Sequence, residues 1–156
     1  MSGTTGEHPN LAALRRQVAS GEIDTIVVAF TDMQGRLMGK RVNGPAFLDG
    51  VIDHGVHICT YLLGTDMEMN TPDGFELMNW ETGYGDWIVD PDWGTLRVIP
   101  WLERTALVLG DVIDDQHAAI PISPRTILRR QVDAAAAMGM AIKAGSEFEY
   151  YLLTDT

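Results

Sequence analysis

The feature that most constrains the fold is the run Asp24-Thr25-Ile26-Val27-Val28-Ala29-Phe30-Thr31, which breaks at Asp32-Met33-Gln34-Gly35 and resumes from Leu37 to Val42. β-Branched and aromatic side chains favour the extended, pleated chain, and a glycine three residues after an aspartate supplies a left-handed turn position. The segment therefore predicts a β-hairpin with Gly35 in the turn and Asp32 at the mouth of the first strand. Read from the residues alone, Asp32 is a turn aspartate whose side chain bonds its own backbone.

Helical signals bracket this hairpin. Asn10 is expected to cap a short helix whose Leu11, Leu14 and Val18 share a face, with Gly21 stopping it. Gly44-Pro45 turns the chain into a second helical segment through Phe47, Leu48 and Ile52, and Gly55 releases it into an extended Val56–Leu62 run. Residues 64–85 form a long irregular connection containing the turn signal Thr71-Pro72-Asp73-Gly74. Strands are expected at Leu96–Ile99 and Thr105–Gly110. Further on, Ser123 and Pro124 open a helix with Leu128, Val132, Ala135 and Ala136 at helical spacing, and Gly139 ends it. No internal repeat or low-complexity segment is present.

Composition narrows the function classes. In 156 residues, 46% hydrophobic, there is enough apolar surface for one sizeable core and the start of a second. The 22 acidic residues outnumber the 11 basic ones and give a formal charge of −11, which disfavours broad contact with nucleic acid or an anionic membrane. The adjacent pair Asp114-Asp115 reads as a solvated turn before His117. The single cysteine, Cys59, has apolar neighbours in Ile58 and Tyr61 and is expected to be a buried thiol in a reducing, cytoplasmic setting. The first ten residues carry no hydrophobic signal core, and no apolar run approaches membrane-spanning length. His54 and His57 are three apart, but Gly55 interrupts them and no third ligand follows nearby, so a structural or surface role is expected.

The stretch that carries chemistry is Gly145-Ser146-Glu147-Phe148-Glu149-Tyr150-Tyr151-Leu152-Leu153. In a strand, Glu147 and Glu149 share one face while Phe148 and Tyr150 share the other. Two like charges on neighbouring same-face positions repel, and a divalent cation would relieve the repulsion. Oxygen ligands suit Mg²⁺ or Mn²⁺, which one or two carboxylates commonly hold together with water and phosphates. The other reading places both glutamates on the wet face of a half-exposed strand.

The order Ile122-Ser123-Pro124-Arg125 at a helix start, then a glycine, then Glu147-Phe148-Glu149-Tyr150-Tyr151-Leu152, resembles the start of the catalytic domain in the glutamine synthetase family. Phe30-Thr31-Asp32 with Gly35, and Tyr84-Gly85-Asp86-Trp87 through Asp90-Pro91-Asp92 to Pro100-Trp101, are similar to that family's N-terminal β-grasp domain. The resemblance implies an α+β chain. Residues 1–9 would be a flexible tail, 10–117 the β-grasp domain and 118–156 the truncated start of the catalytic domain, with an acidic strand after the helix. It also implies that Glu147 and Glu149 bind the active-site metals. By the same resemblance Asp32 reaches into a neighbouring subunit's site to hold and deprotonate the incoming amine, and Asp66 is a candidate substrate-binding residue.

Where ammonium-using members carry Asp-Gly-Ser-Ser, this chain has Gly64-Thr65-Asp66-Met67-Glu68-Met69, so it looks more like the branch that joins glutamate to a polyamine or another small primary amine. The activity so implied is ATP-dependent amide formation through a γ-glutamyl acyl phosphate, in a homo-oligomeric ring with active sites between adjacent subunits. The apolar segment at Met67 and Met69 would bury a carbon chain. The alternatives are a true glutamine synthetase and a non-catalytic β-grasp binding or regulatory module.

Overall fold

The computed structural model describes residues 7–81 and 83–154. Helix α1 (Pro9–Ala19) packs Leu11 and Leu14 into the core. The hairpin forms β1 (Thr25–Thr31) and β2 (Leu37–Asn43), paired antiparallel from Thr25 opposite Asn43 to Thr31 opposite Leu37. A helical crossover follows as α2 (Gly44–Ala46), a π-helical turn (Phe47–Val51) and α3 (Ile52–His54), and it leads into β3 (Val56–Cys59). After a 3₁₀ turn at Thr60–Leu63 and the long connection, β4 (Asp86–Pro91), β5 (Arg97–Val98) and β6 (Thr105–Ile113) complete a six-stranded sheet, and α4 (Pro124–Ala137) follows. The strand order is β2-β1-β6-β4-β3, with β5 also on β6.

The centre of the sheet pairs β1 with β6 in parallel, Thr25 opposite Thr105 and Ala29 opposite Leu109. A parallel pair must be joined by a long crossover, which here includes the helical segment and four other strands, β2 to β5. Period-two alternation then distributes the apolar side chains. Ile26, Val28 and Phe30 enter the main core with Phe47, Val89, Val108 and Val112, whereas Val27 and Ala29 join Ile99, Leu107 and Leu109 on the other face. The architecture is the α+β, β-grasp-like one expected from the hairpin, crossover and later strands.

Several local expectations are corrected. The cap of α1 is His8, whose Nδ1 accepts from the Asn10 N–H at 3.2 Å. Pro9 takes the first helical position, and Asn10 lies inside the helix. The expected tail thus ends before Pro9, and residues 1–6 of it lie outside the described residues. Cys59 is exposed, because β3 alternates and sends Val56 and Ile58 inward and His57 and Cys59 outward. The β4 strand was missed because its alternation is carried by Trp87, Val89 and Pro91 amid acidic residues.

The α4 stripe points mostly to solvent. Leu128 and Val132 are exposed, and Ala135 is buried. The helix is instead held by charge, as Arg125 donates to Asp92 at 2.7 Å and to Asp111 at 2.9 Å, and Arg129 to Asp111 at 2.8 Å. The expected acidic strand is absent. Residues 140–154 have no regular structure and are exposed, since no strand among the described residues runs beside them to accept their backbone hydrogen bonds.

Candidate functional site

The β1–β2 turn is built around Asp32. Its N–H donates to the Arg36 carbonyl at 3.0 Å, and the Gly35 N–H donates to the Asp32 carbonyl at 3.1 Å, with Gly35 at φ +82°. The carboxylate completes the turn. Oδ1 accepts the N–H groups of Gln34 and Arg36 at 3.0 and 2.8 Å, and Oδ2 accepts Arg36 Nε at 2.7 Å. Asp32 is only 1% exposed. Burial alone would raise its pKa, but the Arg36 guanidinium and the two turn amides outweigh burial and hold it below the usual carboxylate range.

Arg36 joins this turn to the segment that carries Asp66. Its Nη1 donates to the Met67 carbonyl at 2.8 Å and its Nη2 to the Asp66 carbonyl at 3.1 Å, while Gln34 Nε2 donates to the Thr65 carbonyl at 3.0 Å. Asp66 repeats the Asp32 geometry. Its Oδ1 accepts the N–H groups of Glu68 and Asn70 at 3.0 and 2.8 Å, its N–H donates to the Asn70 carbonyl at 3.0 Å, and Met69 takes the left-handed position at φ 66°. The Asn70 side chain and backbone amides, chiefly, lower the Asp66 pKa. Asp114 forms a third copy with Gln116 and Ala118, and His117 at φ 61°. Each aspartate folds the chain back on itself through its own side chain.

The structure therefore brings Asp32 and Asp66 together through one guanidinium. Sequence reasoning missed Arg36 and Gln34 as the groups that clasp the two loops. The available signal was their place just around Gly35, where a turn aspartate can reach residues two and four ahead. Beside the clasp lies a mostly apolar cavity of about 490 Å³, walled in part by Met33, Leu63, Phe75, Leu77 and Met78. Met67 and Met69, expected to bury a carbon chain, are exposed, because the Asp66 turn directs that stretch outward.

Glu147 and Glu149 are exposed in the segment without regular structure, and the structure does not bring them to Asp32 or Asp66 through any bond. As oxygen donors they suit Mg²⁺ or Mn²⁺, but among the described residues no group of three His, Cys, Asp or Glu side chains could hold a metal ion. The pair is thus at most part of a donor set. His54 and His57 are exposed, as expected. No helix among the described residues is long and apolar enough to cross a membrane.

Comparison with solved structures identifies the fold. A GmaS structure in complex with ADP superposes with a TM-score of 0.60 over 80% of this chain and 26% of its own, and an apo GmaS structure with 0.59 over 78% and 25%. Both are 22% identical in sequence. No family model matches the chain.

Sequence relatives carry the assignment further. A gamma-glutamylethanolamide synthetase of Streptomyces coelicolor is 45% identical over 143 residues, and a glutamate–isopropylamine ligase of a Pseudomonas species 36% over 143 residues. A type-1 glutamine synthetase of Dictyostelium discoideum is 29% identical over 135 residues. The first two matches cover 92% of this chain and 31% of each relative, and the third 86% and 26%, so the chain spans less than a third of these relatives. Over most of its length the chain is thus similar to members of the glutamine synthetase family.

Proposed function

We propose that the chain is the N-terminal part of an ATP-dependent ligase that joins glutamate to a small primary amine or polyamine through an acyl phosphate, using Mg²⁺ or Mn²⁺. The observation that carries this reading is the order of similarity, 45% and 36% to two relatives named for amine substrates against 29% to a glutamine synthetase. In this reading residues 10–117 are the β-grasp domain, 118–156 begin the catalytic domain, and the enzyme works in the cytoplasm as a ring of identical subunits. Glu147 and Glu149 hold a divalent cation that neutralises charge on the transferring phosphoryl group.

Asp32 is the resemblance-implied amine-binding carboxylate at a subunit edge, and Asp66 the substrate-binding candidate in the loop clasped to it. The depressed pKa of Asp32 supports a carboxylate that stays charged in front of an ammonium. Its burial sets a condition, since an amine can touch it only if the Arg36 guanidinium yields at Oδ2.

The test uses the longer protein that contains this sequence. Phosphate release with glutamate and ATP is measured against ethanolamine, isopropylamine, a polyamine and ammonium, and a small amine is expected to be fastest. A clear preference for ammonium would leave ordinary glutamine synthesis, and no release with any amine would leave a binding module. Glu147→Gln or Glu149→Gln should weaken Mn²⁺ binding in calorimetry with the fold retained; unchanged affinity in both returns the pair to a solvated surface.

A further inference from the structure

We propose that the concavity formed by Tyr61, Trp80 and Tyr84 binds an organic ammonium cation. The three rings are mutually arranged as walls. Tyr84 stands at 88° to Tyr61 with centroids 5.9 Å apart, and at 88° to Trp80 with centroids 5.1 Å apart. They border a space of about 560 Å³, together with Met69, Thr71 and Gly83.

None of these lining residues is charged, so a ligand is held by ring faces, by the methionine thioether and by shape. Aromatic faces carry the negative part of the ring quadrupole, and perpendicular walls direct more than one such field into a corner. The species this environment favours is a cation with a greasy surface. A small metal ion would lose its water to walls with no carboxylate to replace it. An anion would meet the wrong face of every ring in a chain of net charge −11, whereas that charge concentrates cations near the surface.

The wall leaves a large apolar ring in water and strains the local backbone. Trp80 remains 80% exposed. Burial would be the favourable course for so large an apolar group. Tyr84 sits at φ 26° and follows Gly83 at φ 77°. Non-glycine residues rarely occupy positive φ. The Asn79 carbonyl accepts the Gly83 N–H at 3.1 Å and the Tyr84 N–H at 3.4 Å, which closes the turn that sets Trp80 and Tyr84 against each other. Strain of this kind persists where surrounding bonds over-determine it, and binding sites are its usual location.

The inference goes beyond the ligase reading and is tested without nucleotide, glutamate or turnover, so its failure leaves that reading where it stands. Choline and its neutral isostere 3,3-dimethylbutan-1-ol are titrated into the chain, with the Trp80 indole N–H followed by NMR. Choline should bind in the millimolar range and the alcohol at least about fivefold more weakly, the contribution of cation to ring face. Trp80→Ala should weaken choline by about tenfold, while Trp80→Phe, which keeps a ring, should lose no more than about threefold. For these variants, the Tyr61 and Tyr84 ring signals report binding in place of the indole. Because Trp80 is exposed, neither change threatens the fold, and circular dichroism confirms it. Equal affinity for choline and the alcohol, choline binding untouched by Trp80→Ala, or no choline binding up to about 50 mM would each overturn the proposal.

Discussion

Removing the Arg36 guanidinium should expose how much of the candidate site depends on the Asp32 clasp. In Arg36→Ala the Asp32 carboxylate, with a fully buried side chain, keeps two backbone amides but loses its charged partner. Breaking a buried pair from one side costs about 3–5 kcal/mol. The Arg36 side chain is 30% exposed, so water repays part of that. The net loss should be about 3 kcal/mol. Asp32→Asn keeps both amide bonds at its oxygen but turns an N–H towards Arg36 Nε, for a loss of about 2 kcal/mol. The double variant should lose at least about 1 kcal/mol less than the sum, since each single change strands the other partner. Urea denaturation at neutral pH measures all three.

The pH dependence has a fixed sign. The folded Asp32 pKa lies below its ordinary value of 3.8, so its stabilisation is fully present above pH 3.8 and is lost as pH falls through the folded value. Asp32→Asn should lack that acid limb. Amide hydrogen exchange adds a positional readout, because Arg36→Ala should speed exchange in residues 65–70, where Arg36 holds the Asp66 and Met67 carbonyls, and leave α1 unchanged. Stability losses below about 0.5 kcal/mol in both single variants would refute the reasoning and make the clasp an incidental surface contact.

Gly55 sits at φ 68° and ψ −167°, which suit glycine alone, and a Cβ there would stand 2.8 Å from the Val89 carbonyl oxygen and 2.5 Å from Ile88 Cγ2. Gly55→Ala should therefore cost about 3 kcal/mol in a thermal or urea melt, and an unchanged melt would refute the close packing of the α3 end on β4. Asp90 faces Asp111 across β4 and β6, and burial first, then the Asp111 charge, raises its pKa. Ionised Asp90 therefore opposes folding above its folded pKa, so Asp90→Asn should stabilise at pH 7 by about a few tenths of a kcal/mol after solvent screening. That gain should vanish as pH falls below 3.8; a gain that persists there would point to a cause other than charge.

The hairpin was legible because each of its determinants is local. Ile26, Val28 and Phe30 alternate, Gly35 takes the positive φ that the turn needs, and Asp32 finds its hydrogen-bond donors two and four residues ahead. The same locality explains the Asp66 and Asp114 turns, although there Met69 and His117 occupy the left-handed position and the glycine signal is missing. What sequence could not give is which distant segment each turn would hold. Arg36 looks like any surface arginine until the chain folds and the carbonyls of Asp66 and Met67 come within its reach.

Glu147 and Glu149 mark the opposite limit. An alternating segment specifies which side chains share a face only once a neighbouring strand fixes the pleat, because an unpaired extended chain rotates freely between its allowed states. Asp32 carries its partners within four residues and is oriented by them, so its geometry is complete as soon as the turn closes. The glutamates have no such partners among residues 140–154, and their convergence on one metal is a property of a paired strand rather than of the Glu-x-Glu spelling. The two acidic candidates therefore differ in kind. Substitutions at Asp32 should register in this chain's own stability, whereas those at Glu147 and Glu149 should register only where a sheet partner and further ligands accompany them.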